Sequence, residues 1–194
     1  MEGISAILDK AIAHHPAREF AAAVIEYRRL VVIGIRTALL FQNLGVVFFE
    51  LGQWRDSAEA LESAIALGAD SAEIWMNLGH ARAKLGDWPA ARDDYAQAVS
   101  RAPANASAHA ELGLARHRAR DLAGAQDAYR KALALTPDDA GLWNNLGAAA
   151  QESGNPDAAI AAFRRASELA PDYAPALANL GSALSDIGER PAAR

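Results

Sequence analysis

AEIWMNLGHARAKLGDWPAARDDYAQAVSRAP (72–103) reads as two short amphipathic helices with a glycine break between them. Its Leu78-Gly79 pair recurs as Leu44-Gly45, Leu112-Gly113, Leu146-Gly147 and Leu180-Gly181, always at an interval of 34 residues. A fixed period of that length marks a stacked-repeat architecture, in which each unit buries its apolar face against the next. The period also gives every residue a column, so residue types can be compared across repeats.

Repeats begin at Ala38, Ala72, Ala106, Ala140 and Ala174, with Leu-Gly in columns seven and eight. Column four holds Phe41, Trp75, His109, Trp143 and Leu177; column twenty-four holds Leu61, Tyr95, Tyr129 and Phe163. Columns four, seven, eight and eleven share one stripe at i, i+3, i+4, i+7 spacing, the mark of an amphipathic helix. The column-eight glycines and small column-twenty residues (Ser57, Ala91, Ala125, Ala159, Ala193) let the two helices of a hairpin approach closely. Gly52, Gly86, Gly154 and Gly188 are placed to end the first helix, because glycine accepts the left-handed turn of a helix C-terminus. Pro103, Pro137 and Pro171 stop the second helix, since proline lacks the N–H and clashes with the preceding turn. Trp54, Trp75, Trp88 and Trp143 fall in packing columns and are expected in the core.

This pattern resembles the tetratricopeptide repeat family. The stretches 72–103 and AGLWNNLGAAAQESGNPDAAIAAFRRASELAP (140–171) carry nearly all of it, and the resemblance covers Ala38 to Arg194. Repeat three departs at His109, Ala119 and Arg120. The resemblance implies an all-α chain, an α-solenoid forming a right-handed superhelix of tandem helix-turn-helix hairpins, with first helices lining a concave face. One solenoid is expected over 1–194, with a degenerate capping repeat at 4–37 and full repeats at 38–71, 72–105, 106–139 and 140–173. A truncated repeat follows at 174–194. The cap keeps Phe20, Ala23 and Tyr27 in register but has Lys10-Ala11 for Leu-Gly and Arg18 for the turn glycine; Pro16 should shorten its first helix. Arg194 falls inside the second helix of repeat five, which points to a segment of a longer protein.

Composition narrows the function classes. The chain is 52% hydrophobic, much of it alanine, which suits tightly packed helices. A net charge of −5 with both signs interspersed argues against a nucleic-acid module. The absence of cysteine excludes disulfides and thiolate metal sites. The apolar run Leu30 to Ile35 is far short of the ~20 residues that span a membrane, and MEGISAILDK lacks the basic start of a secretory signal. A cytoplasmic protein without membrane insertion is expected.

Candidate binding residues lie off the packing stripe of the first helices. Column six reads Asn43, Asn77, Glu111, Asn145 and Asn179. Neighbouring first helices should lie about 8–10 Å apart and an extended peptide advances ~3.3 Å per residue, so one rung meets roughly every third peptide residue. An Asn amide donates to a peptide carbonyl and accepts from its N–H, which gives binding without sequence preference. The column looks like the asparagine ladder of the repeat arm in O-linked N-acetylglucosamine transferases, but Asn is common there throughout the family and also serves plain helix solvation. Leu39, Val46 and Phe49 put apolar residues in columns that are usually polar. That patch is either covered by helix 4–14 or serves self-association or a partner helix. The basic residues Arg116, His117, Arg118 and Arg120 suit the end of a helix dipole and, with His80 and Lys84, could steer an acidic peptide. The columns matching the family's carboxylate clamp hold Val46, Leu114, Ala148 and Ser182, which disfavours a chaperone-type function.

Catalysis finds no support: there is no nucleophile elbow or phosphate-binding glycine loop, and the adjacent His14 and His15 face different sides of a helix. No enzyme activity, cofactor or metal is expected. The reading is a protein-interaction scaffold binding an extended peptide or helix in its concave groove. Two alternatives stay open: the substrate-recruiting arm of a larger enzyme such as a glycosyltransferase or sulfotransferase, and a self-assembling structural scaffold.

Overall fold

A computed structural model of the chain describes residues 3–14 and 18–188. His15, Pro16 and Ala193 lie outside the described residues, as does the second helix expected for repeat five. The chain divides into two compact units, Met1–Arg101 and Ala102–Arg194. The first contains α1 (Ile4–Ala13), α2 (Phe20–Val32), α3 (Ala38–Glu50), α4 (Trp54–Ala66), α5 (Ala72–Lys84) and α6 (Trp88–Arg101). The second contains α7 (Ala106–Arg118), α8 (Leu122–Leu135), α9 (Ala140–Glu152), α10 (Pro156–Leu169) and α11 (Ala174–Gly188). No strand occurs among the described residues.

The 34-residue period survives intact in three dimensions. First helices start at residues 38, 72, 106, 140 and 174. The residue before each of the first four is a polar N-cap: Thr37, Ser71, Asn105 and Asp139 accept from the backbone N–H of Leu40, Ile74, Ala108 and Leu142 at 2.9–3.3 Å. Second helices end two residues before Pro103, Pro137 and Pro171. Gly52, Gly86 and Gly154 adopt φ of +73°, +82° and +80° after their helices. Arg18 and Arg120 occupy the same column with φ of +58° and +66°. The hairpin imposes the left-handed turn even where the side chain disfavours it, a strain of about 1–2 kcal/mol per residue. Gly188 departs from expectation: it lies within α11 and has no positive φ.

Packing corrects the expected stripe. The positions buried in each of α3, α5, α7 and α9 are columns three, seven, eight and ten, for instance Ile74, Leu78, Gly79 and Ala81. Columns four and eleven are only partly buried in several repeats. Helices α3, α5 and α9 are each covered both by their hairpin partner and by the second helix of the preceding repeat, so the buried arc is wider and rotated from a single-partner stripe. Column eight is tied to column twenty-four. A Cβ on Gly79, Gly113 or Gly147 would sit 2.6 Å from the ring of Tyr95, Tyr129 or Phe163. In repeat one the Ser57 hydroxyl donates to the Gly45 carbonyl at 2.7 Å, joining columns twenty and eight.

The tryptophans sit at the edge of the core and not within it, Trp75 and Trp143 packing against buried clusters. Trp54 is 37% exposed, and Trp75, Trp88 and Trp143 are half-buried. The buried rings are Tyr27, Tyr95, Tyr129 and Phe163. Two column-four rings instead hold the turn between repeats: the Trp143 indole donates to the Pro137 carbonyl at 2.8 Å, and His109 Nε2 lies 2.9 Å from the Pro103 carbonyl. His109 thus replaces the aromatic ring while keeping its N–H donor.

Candidate peptide-binding site

In the N-terminal unit, α3 and α5 present Asn43 and Asn77 as half-buried residues. Asn43 is engaged inside the fold: its side chain hydrogen-bonds the Tyr27 hydroxyl, and burial pushes that hydroxyl up to about 12 against the opposing effect of the bond. Asn77 lines a cavity of about 220 Å³ with Val46, Phe49, Glu50 and His80. The His80 ring neighbours both Phe49 and Tyr95, with centroids 6.4 and 5.5 Å away, and with Phe49 gives the cavity an aromatic wall. Lys84 is exposed in the last turn of α5. Three of the anticipated residues (Val46, Phe49 and His80) therefore meet around Asn77.

Leu39 is not part of that cavity and is 55% exposed. Helix α1 docks through Ile7 and Ala11 into the core shared with α2 and α3, while Ile4 and Ile12 remain outside at 50% and 43% exposure. The expected cover over Leu39 is therefore not supplied by the apolar side chains of α1.

In the C-terminal unit, Asn145 lines a cavity of about 380 Å³ with Leu114, His117, Arg118, Arg120 and Glu152. Glu152 joins α9 to the end of α7. His117 Nε2 lies 2.9 Å from one of its oxygens, and the Arg120 guanidinium donates to the other. The His117 hydrogen bond, reinforced by Arg120, holds the Glu152 carboxyl below the usual carboxylate range. The basic cluster is thus partly neutralised from within. Glu111 is half-buried near Tyr129, where its charge adds to burial in raising the hydroxyl. Asn179 donates to the Oδ1 of Asn144 at 2.9 Å, and Asn144 is buried at 8% exposure. Column six therefore splits: Asn77 and Asn145 face cavities, while Asn43 and Asn179 link neighbouring helices.

The tetratricopeptide repeat sequence profile matches residues 43–99 and 77–140, and a second profile of the same repeat matches 140–173. The chain belongs to the tetratricopeptide repeat family. No curated protein matches it significantly. Among solved structures, a MamA protein is similar at TM-score 0.82 and 23% identity, covering 88% of this chain and 93% of its own. The structure of YrrB, described as a tetratricopeptide repeat protein with an unusual peptide-binding site, is similar at TM-score 0.86 and 18% identity, covering 91% of each chain. These likenesses show the tetratricopeptide fold. Among the described residues, no helix is long and apolar enough to cross a membrane, and no group of three or more His, Asp or Glu side chains could hold a metal.

Proposed function

We propose that this tetratricopeptide repeat protein is an interaction scaffold that binds an extended peptide segment along its first helices. The reading rests on one observation: in each compact unit a column-six amide lines a cavity beside its first helix, Asn77 in the N-terminal unit and Asn145 in the C-terminal unit. Each amide can pair with both the N–H and the carbonyl of a peptide backbone. The surroundings add selectivity. The Val46–Phe49–His80 wall suits an apolar side chain, and the Leu114 cavity with its guanidinium rim suits an acidic one. Rigid helices presenting these groups limit the ordering cost of binding. The peptide-binding site named for YrrB supports the same use of the fold here.

The test is selection of a random-peptide display library on the full chain, followed by affinity measurement with Asn77→Ala and Asn145→Ala. Selected peptides should lose about tenfold in affinity on one or both replacements, the cost of a backbone-pairing amide. Peptides that bind both variants as tightly as the original chain would overturn the proposal.

A further inference from the structure

On the side of α9 turned away from Asn145, helices α8 and α10 flank a groove of about 370 Å³. Trp143, Leu146 and Ala150 of α9 form its floor, small alanines of α10 form one wall, and Arg130 and Arg165 stand at its rims. The groove exists because column eleven is alanine in this repeat. In the other full repeats a larger column-eleven side chain takes up part of that space. In repeat one, column eleven is Phe48, the Arg28 guanidinium lies 5.6 Å from its ring centroid, and the matching groove shrinks to about 210 Å³. In repeat two it is Arg82, which donates to the buried Asp94 at 2.7 and 2.8 Å. In repeat three it is Arg116, which donates to the Gly124 carbonyl at 3.0 Å.

The rim of this groove also differs in charge. Where repeat one places Asp56 and Glu59, repeat four places Ala158 and Ala161. Arg130 donates to the neutral Gln126 at 3.1 Å, and Gln126 is itself anchored to the Ser153 hydroxyl at 2.9 Å. Arg165 reaches Asp138 at 3.5 Å and Glu168 at 3.3 Å, both looser than a strong charge-assisted bond and both at exposed positions. Two guanidinium groups therefore flank an apolar slot with donors available to an incoming carboxylate. The volume suits one large apolar side chain and its neighbours.

We propose that this groove is a second docking site, taking an apolar anchor residue of a partner protein whose adjacent residues are acidic. The anchor fills the space that Phe48 and Arg116 occupy in their own repeats, and the carboxylate pairs with Arg130 or Arg165. The site lies on the second-helix face and works independently of the asparagine surface.

The same display selection tests it, with different variants. Ala150→Phe restores the side chain found in repeat one and fills the groove; Arg130→Glu with Arg165→Glu reverses its rim without touching the core. A class of selected peptides carrying Asp or Glu beside Leu, Met or Phe should lose about tenfold or more in affinity to both variants. That class should keep its affinity for Asn77→Ala and Asn145→Ala. Thermal melts establish that each variant is folded. Absence of such a class, peptides of basic character, or equal binding to the charge-reversed variant overturns the inference. Self-association of the original chain in sedimentation velocity that Arg130→Glu with Arg165→Glu abolishes would assign the groove to a second copy and overturn it too.

Discussion

The ring of Phe163 occupies the space that a side chain on Gly147 would need, with only 2.6 Å from its Cδ1 to a Cβ built there. Phe163 is fully buried, so it cannot swing aside. Gly147→Ala is therefore expected to destabilise by about 1–3 kcal/mol, the usual cost of overpacking a filled core. Urea denaturation of Gly147→Ala checks it; a variant as stable as the original chain would refute the pairing of columns eight and twenty-four.

Asp94 gives the fold a pH dependence. Its side chain is 3% exposed, and burial raises its carboxyl to about 6 despite the Arg82 guanidinium, which also donates to Glu62 at 2.5 Å. The folded protein then holds a proton that the unfolded chain, near 4, releases. This group's contribution to stability is fully present below pH ~4 and is lost as pH rises through about 6, with a ceiling on the order of 2–3 kcal/mol. Asp94→Asn should abolish it. The stability of the original chain minus that of the variant should therefore grow between pH 7 and pH 4.5 in urea titrations; parallel curves would contradict the assignment.

His109 is expected to tolerate Trp better than Phe. His109→Phe keeps an aromatic ring but removes the donor to the Pro103 carbonyl, at a cost of about 1 kcal/mol. His109→Trp supplies an indole N–H to the Pro103 carbonyl, as Trp143 does to the Pro137 carbonyl. Thermal melts of both variants separate the two cases; equal midpoints would mean that only ring volume matters there.

Filling the Asn77 cavity tests its apolar wall. Val46→Phe should block the space bounded by Phe49 and His80 and weaken a peptide whose apolar residue sits there by about tenfold, while leaving the melting midpoint within a few degrees. Competition by unlabelled peptide in fluorescence anisotropy measures it. A peptide that binds the variant unchanged does not use this wall.

Much of the architecture was legible in the chain because the period repeats the same local signals. The turn glycines and the prolines Pro103, Pro137 and Pro171 each carry a backbone requirement that acts within a few residues, whereas Gly79, Gly113 and Gly147 of the Leu-Gly pairs answer to a ring on the facing helix. The polar N-cap column of Thr37, Ser71, Asn105 and Asp139 was equally readable, and it marks each helix start. The binding surface was less legible. Asn43, Asn77, Asn145 and Asn179 look alike in sequence, yet two bond to residues of neighbouring helices and two line cavities.

The sequence by itself determined the repeat, the helix boundaries and the turns, because those depend on propensity, capping and backbone freedom at positions close along the chain. Only the tertiary structure decided that the tryptophans stay half-exposed, that Arg120 accepts a turn suited to glycine, and that Ala150 leaves a groove part of which Phe48, Arg82 and Arg116 take up in their own repeats. Those outcomes depend on which side chains meet across helices brought together from different parts of the chain. A column of residue types records what each position carries, and the volume left between helices depends on all of its neighbours at once.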